Sequence, residues 1–274
     1  MNELLNLAHP DVSNMSEYGG KAAGLHDLIA LDIASVPVGF AIGASNHGRT
    51  DTEFQTSLMA AYAELCKAMR DTKLQVAVRS SATDEDGADT SFAGQHETVL
   101  GVQGEQALSD AVRSVWASGS RESAMEYRDE HGLDTDDVRM AVVVQAMIPA
   151  EMAAVAFSRN PVTGEREVMV NVIPGLGEPL VSGEVTPDTE IHPERGERTV
   201  YIGRKIFRLE LASTGGTIQI ENDDPMRPTF AGNEVAQLAG YTRELEKFHG
   251  KAVDIEAAYY HQQWWLLQCR PVTT

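Results

Sequence analysis

The 274-residue chain has few cysteines, few aromatic residues (6%) and no long apolar run. Its two cysteines, Cys66 and Cys269, cannot form a disulfide framework, and they lack the CxxC or Cys/His spacing of a zinc site. No segment reaches the roughly 20 apolar residues that span a bilayer. The first residues lack the basic start and apolar stretch of a signal peptide. These absences predict a cytoplasmic protein without a membrane partner.

Basic residues are also scarce, with 22 Lys and Arg against 41 Asp and Glu and a formal net charge of -19. So acidic a surface repels a nucleic-acid backbone, which excludes nucleic acid as the expected partner. A single nucleotide needs only a few local cations, so ATP remains compatible with this charge. The apolar share of 42% and the charged share of 23% are ordinary for a globular protein.

The hydrophobic periodicity alternates between strand and helix patterns without a regular βαβ rhythm, which predicts an α+β fold. The chain is long enough for one large domain, and a Gly- and Pro-bearing loop at 175–188 suggests a division into lobes at approximately 1–180 and 181–274. A helix is predicted to begin at about Lys21, after a turn at Gly19 and Gly20, and to run to 31, with further helices at 54–70, 105–129 and 233–249. Strands are predicted at 36–42, 74–79, 98–102, 139–147, 153–158, 167–172, 199–211, 217–220, 252–256 and 263–270.

Two glycines precede a lysine at the first predicted helix, in the order Gly19, Gly20, Lys21. Glycines at this place let backbone N–H groups and the positive helix end approach an anion, and Lys21 could reach a phosphate. The alternative is a glycine turn followed by a solvated lysine.

A predicted strand ends in Arg79 and runs into two serines. A planar guanidinium beside hydroxyl donors suits phosphate oxygens, which arginine can hold with two parallel hydrogen bonds. The glycine-bearing stretch 92–95 could close over phosphates, and the alternative for it is an ordinary surface loop.

Near the end of the chain, Glu256 and Gln268 lie twelve positions apart on two predicted strands of one hairpin. Pairing of these strands in a hairpin would bring the two side chains together. Residues two apart on one strand share a face, so Gln268 and Arg270 would point the same way. A carboxylate and an amide oxygen on one face can hold Mg²⁺, and Arg270 would lie close to a phosphate. The alternative is a salt bridge between Glu256 and Arg270.

Gln145 is a polar residue inside an apolar predicted strand, VVVQAM. A buried amide must find hydrogen-bond partners. Gln145 could therefore bind an adenine edge or satisfy neighbouring backbone groups.

These segments occur in a fixed order along the chain, and the series reads GGKAAGL, VPVGFAI, VAVRSSATDED with SFAGQHET, VVVQAMI, AFSRNPVTGE, GLGEPLVSGEVTPD, DIE and LQCRPV. In this order they resemble the N-terminal nucleotide-binding domain of the phosphoenolpyruvate synthase and pyruvate phosphate dikinase family, which is related to rifampin phosphotransferase. The resemblance covers most of the chain. It implies an ATP-grasp-type fold whose two lobes clamp ATP and Mg²⁺, and an ATP-dependent phosphotransferase activity.

The resemblance also implies residue roles. Lys21, Arg79 and Arg270 would be catalytic through the phosphates, and Glu256 and Gln268 would bind Mg²⁺. The nucleotide contacts would come from Lys21, Arg79, Gly94, Thr98, Gln145, Glu256, Gln268 and Arg270. Three acidic residues of the GLGE segment, Glu178, Glu184 and Asp188, would line the pocket without being ligands.

The chain departs from the family pattern in two respects. The segment between Lys21 and Arg79 is shorter than in the family, and no carrier-histidine domain follows the last motif. The expectation is a stand-alone domain that phosphorylates either a small molecule directly or a carrier histidine on a separate partner protein. Two alternatives remain open, namely an ATP-grasp ligase that activates a carboxylate as an acyl phosphate and a non-catalytic nucleotide-binding subunit.

Overall fold

The structure, a computed structural model, describes residues 4–82, 97–119 and 139–272. Its helices are α1 Met15–Leu31, α2 Thr52–Met69, α3 Glu105–Ser118, α4 Glu178–Val181 and α5 Glu234–His249. Its strands are β1 Leu4–Asn6, β2 Gly39–Ile42, β3 Gln75–Ala82, β4 Thr98–Gln103, β5 Met140–Ala146, β6 Met152–Phe157, β7 Glu167–Pro174, β8 Asp188–Pro193, β9 Thr199–Tyr201, β10 Phe207–Leu211, β11 Thr217–Glu221, β12 Val253–Tyr260 and β13 Gln263–Pro271.

The strands form two large antiparallel sheets and one small ribbon. The first sheet has the order β1-β2-β5-β3-β4, and the second has the order β13-β12-β6-β7-β8-β9. Strands β10 and β11 pair with each other as a separate two-stranded ribbon. Every residue of β5 is buried, which fits its continuous apolar sequence and its place at the centre of the first sheet.

Two hydrophobic cores hold these layers together. In the first, Phe54 and Leu58 of α2 and Val112 of α3 pack against the first sheet. In the second, Leu25 and Leu28 of α1 share one cluster with residues of both large sheets and of α5. The apolar residues of α1 recur at helical spacing, so the helix can bury one stripe between the two sheets. Helix α1 therefore connects the two halves of the molecule.

Most predicted elements are present, and the predicted α+β class is confirmed. The predicted single strand at 199–211 is wrong, because β9 ends at Tyr201 and β10 begins at Phe207. Between the two strands, Gly203 N and the Lys205 ammonium group bond the buried Asp188, and the backbone leaves the sheet there. Strands β1 and β8 and helix α4 were not predicted. Helix α3 ends at Ser118, and positions 120–129 of the predicted helix lie outside the described residues.

The chain passes from the first large sheet to the second between Ala146 and Met152. The single domain 1–274 with lobes at 1–180 and 181–274 stays a prediction. Two sheets that face one cleft are the arrangement expected of an ATP-grasp-type fold. In the described part of the chain, the helices are too short or too polar to cross a membrane.

Candidate functional site

A cleft of about 640 Å³ opens between the two large sheets. This volume lies within the roughly 300–1,000 Å³ that is typical of small-molecule sites. Its lining includes all the predicted site residues that the structure describes, namely Lys21, Arg79, Thr98, Gln145, Glu256, Gln268 and Arg270. The remaining predicted site residue, Gly94, lies outside the described residues. Residues from both halves of the sequence thus meet in one cavity.

Arg79 of β3 reaches from the first sheet to the hairpin of β12 and β13 in the second. Its Nη2 donates to Glu256 Oε2 at 3.1 Å and to Gln268 Oε1 at 2.7 Å. Its Nη1 donates to the backbone oxygen of Leu267 at 3.1 Å. The side chain is only 13% exposed, so these are charge-assisted bonds in a largely desolvated setting. The guanidinium connects the two walls of the cleft.

The β12–β13 pairing confirms the register expected from the twelve-residue spacing, because Glu256 lies opposite Gln268. Asp254 lies opposite Arg270, and Arg270 Nε donates to both carboxylate oxygens of Asp254 at 2.9 Å. The alternative salt bridge between Glu256 and Arg270 is therefore wrong. Arg270 forms its ion pair with Asp254, its directly opposite neighbour in the hairpin. Glu256 forms its ion pair with Arg79 of the other sheet.

Glu256 and Gln268 present two side-chain oxygens to one cationic group. Both Glu256 Oε2 and Gln268 Oε1 contact the same nitrogen of Arg79, so two oxygen ligands already converge on one positive group. Carboxylate and amide oxygens suit Mg²⁺, which usually keeps waters or phosphates as its other ligands. Within the described ranges, no group of three or more His, Cys, Asp or Glu side chains could hold a metal. The phosphates of a nucleotide would have to supply the remaining ligands.

Gly19 fixes the approach of α1 to β3. The helix is kinked there, at φ 75° and ψ 170°, two residues before Lys21. A Cβ atom on Gly19 would lie 2.3 Å from the backbone oxygen of Ser81. Ser81 Oγ donates to the oxygen of Tyr18 at 2.7 Å and accepts from Ala22 N at 3.2 Å. These contacts hold the start of the regular helix, and with it Lys21, against the end of the strand that carries Arg79.

Replacing Gly19 with alanine is therefore expected to destabilise the fold beyond the backbone strain alone. At φ 75° and ψ 170°, a region that is essentially restricted to glycine, another residue costs about 1–3 kcal/mol, and the contact with Ser81 adds to that cost. Gly48 is a matched control, because its φ is 77° and a Cβ there would meet nothing within 4 Å. Urea unfolding should show a clearly larger loss for Gly19→Ala than for Gly48→Ala. Equal losses would contradict the tight contact between α1 and β3.

Gln145 lies in β5 on the apolar side of the cleft. It is buried, and its Nε2 donates to the backbone oxygen of Pro37 at 3.2 Å. Part of its hydrogen-bonding capacity is thus already satisfied by backbone. Met147, Ile148 and Leu267 line the same cleft. Sequence reasoning did not single them out, although the motifs VVVQAMI and LQCRPV contain them.

Of the three acidic residues expected to line the pocket, Glu178 does so. Partial burial at the cleft wall, and then the neighbouring Glu184 carboxylate, raise the pKa of Glu178. The expectation is wrong for Asp188, which is completely buried beneath Lys205 and does not line the cleft. Glu184 is exposed, is not part of the lining, and accepts a hydrogen bond from Ser182 Oγ at 2.7 Å.

The chain is similar to several known proteins. Residues 46–274 match the family described as pyruvate phosphate dikinase, AMP/ATP-binding domain. A probable phosphoenolpyruvate synthase of Archaeoglobus fulgidus is 38% identical over 218 residues, which are 78% of this chain and 29% of that protein. A rifampicin phosphotransferase of Streptomyces sp is 32% identical over 312 residues, covering 99% of this chain and 36% of that protein.

An uncharacterized phosphotransferase of Bacillus subtilis, YvkC, is 39% identical over 210 residues, which are 75% of this chain and 25% of that protein. A solved structure, the ADP complex of N5-carboxyaminoimidazole ribonucleotide synthetase, overlaps 89% of this chain and 42% of its own, at 13% identity and a TM-score of 0.40. The chain spans about a quarter to a third of the length of the three relatives named here. The family match covers most of the chain and includes nearly all the residues of the cleft. The chain therefore belongs to the family of the pyruvate phosphate dikinase AMP/ATP-binding domain.

Proposed function

We propose that this domain binds Mg-ATP in the cleft between its two large sheets and transfers a phosphoryl group from it. The observation that carries the proposal is the position of Arg79, whose guanidinium spans the cleft to Glu256 and Gln268. Lys21 and Arg270 line the same cavity. In a chain with a net charge of -19, three cationic side chains in one cleft form a site that attracts an anion.

The cationic side chains would act by position and charge. Phosphoryl transfer leaves little covalent chemistry to the protein, so catalysis rests on holding the phosphates in line and offsetting the charge that develops on them. Arg79 offers two nitrogens in a fixed plane, which suits two phosphate oxygens. Lys21, held by the contact of α1 with β3, would supply a point charge, and Arg270 would supply a second guanidinium.

Glu256 and Gln268 would hold the Mg²⁺ that accompanies the nucleotide, since their oxygens converge on one cationic nitrogen. When bound, Mg²⁺ supplies charge neutralisation on the phosphate oxygens. Because Arg79 contacts both oxygens, phosphate binding would compete with these contacts and draw the guanidinium toward the nucleotide. Arg79 would then bond Glu256 and Gln268 in the free domain and the phosphates in the complex.

The apolar part of the cleft would take the adenine ring. Gln145, Met147 and Leu267 combine one amide with apolar surface, as in most nucleotide pockets. Thr98 lies opposite Arg79 in the β3–β4 pairing, so the two side chains share one face of the sheet, and Thr98 would bond the nucleotide beside Arg79. The predicted contact from Gly94 stays a prediction.

The acceptor would be a small molecule phosphorylated directly or a carrier histidine on a partner protein. The relatives named as phosphoenolpyruvate synthase, phosphotransferase and rifampicin phosphotransferase support phosphoryl transfer over the ligase alternative. They differ in their named substrates, so they support the reaction type and leave the acceptor open.

The proposal is tested by calorimetric titration of the purified 274-residue chain with Mg-ATP, followed by identification of the product nucleotide. We expect Mg-ATP to bind and adenosine, which lacks the phosphates, to bind far more weakly, because the cationic side chains would contribute most of the affinity. ADP as product would indicate a simple kinase, and AMP with phosphate would indicate dikinase chemistry. Binding without turnover would favour the non-catalytic subunit, and no binding of Mg-ATP would refute the proposal.

A further inference from the structure

The β10–β11 ribbon lies outside both large sheets, and the middle of β10 is attached to one wall of the cleft. Leu176 N donates to the backbone oxygen of Leu209 at 2.9 Å. A Cβ on the adjacent Gly175 would lie 2.3 Å from that same oxygen, so the two backbones are in close contact. Leu176 itself lines the cleft. The ribbon is therefore hydrogen-bonded to the wall that the second sheet provides.

The tip of the ribbon touches the opposite wall. Gln75 Nε2 of β3 donates to the oxygen of Ala212 at 2.7 Å, and Gly216 N donates to the oxygen of Gly101 in β4 at 2.7 Å. Gly101 has φ 69°, and a Cβ on it would lie 2.5 Å from Gly216 O. Only a residue without a side chain permits this contact between β4 and the ribbon tip.

The two strands that contact the tip, β3 and β4, also line the cleft in which the nucleotide is proposed to bind. Arg79 belongs to β3, and Thr98 and Leu100, which precede Gly101, belong to β4. The ribbon thus spans from Leu176 in one wall to the strand of Leu100 in the other. A change in its tip contacts would change the separation of the two walls.

We propose that the β10–β11 ribbon is a strap that holds the two walls of the cleft together, and that the Gly101–Gly216 contact is its latch. This inference rests on the proposed nucleotide site, because the strap would set how tightly that site retains Mg-ATP. Strand β11 is largely exposed, and the latch consists of two hydrogen bonds and one backbone contact. So few buried contacts make the strap easy to open without unfolding the cores.

Amide hydrogen exchange on the domain without nucleotide tests the latch directly. In the wild type, the Gly216 N–H should be protected, because it bonds Gly101 across the two walls. Gly101→Ala should accelerate exchange at Gly216 about tenfold or more. The Leu176 N–H bonds Leu209 O on the other wall, away from the substitution, so it should stay protected in both proteins. Rapid exchange at Gly216 in the wild type would overturn the proposal.

Gly164→Ala is the matched control, because Gly164 has φ 74° and a Cβ there meets nothing within 4 Å. It also replaces a glycine at positive φ, and exchange at Gly216 should not change. Gln75→Met removes the second latch bond without adding bulk in the strand, so it gives a second reading if Gly101→Ala folds poorly. Equal exchange at Gly216 in the wild type and in Gln75→Met would also count against the latch.

Nucleotide retention is measured separately. Both latch variants should bind Mg-ATP about five- to a hundredfold more weakly and release it faster, while Gly164→Ala should match the wild type. If the wild type does not bind Mg-ATP, the proposed function fails while the exchange result still judges the latch. If the wild type binds and the latch variants open but bind equally well, the strap does not control retention and the inference is refuted.

Discussion

Asp188→Asn is expected to lower the free energy of unfolding by about 3–5 kcal/mol, because it leaves a buried ammonium without its counter-charge. Asp188 is fully buried and forms an ion pair with Lys205, which is only 2% exposed. The carboxylate also accepts from Gly203 N at 2.9 Å and from Thr229 N at 2.7 Å. Asparagine keeps nearly the same shape, but its amide nitrogen cannot accept a hydrogen bond, so the loss would combine the missing charge with one lost acceptor. Urea unfolding followed by circular dichroism measures it.

A double variant separates the ion pair from general core damage. Lys205→Met removes the partner charge, so the loss in Asp188→Asn with Lys205→Met should be smaller than the sum of the two single losses. Asp110→Asn is the surface control, since Asp110 pairs with Arg113 on an exposed part of α3. Exposed pairs contribute about 0–1 kcal/mol. A loss near the control value for Asp188→Asn would show that Lys205 does not depend on that carboxylate.

The ion pair also explains why sequence reasoning placed Asp188 wrongly. The segment GLGEPLVSGEVTPD resembles a pocket loop, and an aspartate in such a loop is expected at the surface of the cleft. Its partner Lys205 stands in a stretch that reads as one continuous strand from 199 to 211. The inward turn of Lys205 depends on Asp188, and no local periodicity carries that information.

The local parts of the candidate site were predictable. The register of Glu256 and Gln268 follows from a short hairpin, in which spacing fixes which residues face each other. The glycine kink before Lys21 follows from the absence of a side chain at a place where the helix meets a strand. In both cases the information lies within about a dozen neighbouring residues.

The contact of Arg79 with Glu256 was not predictable from residue patterns alone. The two residues are separated by most of the chain and lie in different sheets, and their meeting depends on how the sheets pack through α1. The family resemblance assigned both to one nucleotide site without describing a direct bond between them. The role of the β10–β11 ribbon was likewise invisible, because Gly101 and Gly216 acquire their meaning only when the ribbon folds back across the cleft.

Arg79→Ala is expected to weaken Mg-ATP binding by roughly ten- to a hundredfold, which corresponds to about 1.5–3 kcal/mol for the loss of a charged contact. Turnover, where an acceptor is found, should fall by about 10²–10³, because the guanidinium would also offset charge in the transition state. Arg79→Lys should recover only part of the affinity, since lysine keeps the charge and loses the planar fork. Arg113→Ala, a surface arginine on α3, should bind as the wild type does.

Glu256→Gln should act on the same site through the cation. It keeps a side chain of the same shape and removes the negative charge, so the Mg²⁺ concentration needed for half-maximal ATP binding should rise. Arg79→Ala should not raise that concentration, because it frees both oxygens from the guanidinium. Because Arg79 and Glu256 are in direct contact, the losses of the two single variants should not add in the double variant. Calorimetric titrations of ATP at several Mg²⁺ concentrations measure both effects, with Glu64→Gln on the exposed face of α2 as the control. Unchanged Mg²⁺ dependence in Glu256→Gln would show that the cation does not bind at Glu256 and Gln268. Unchanged ATP affinity in Arg79→Ala would show that the phosphates do not bind at Arg79.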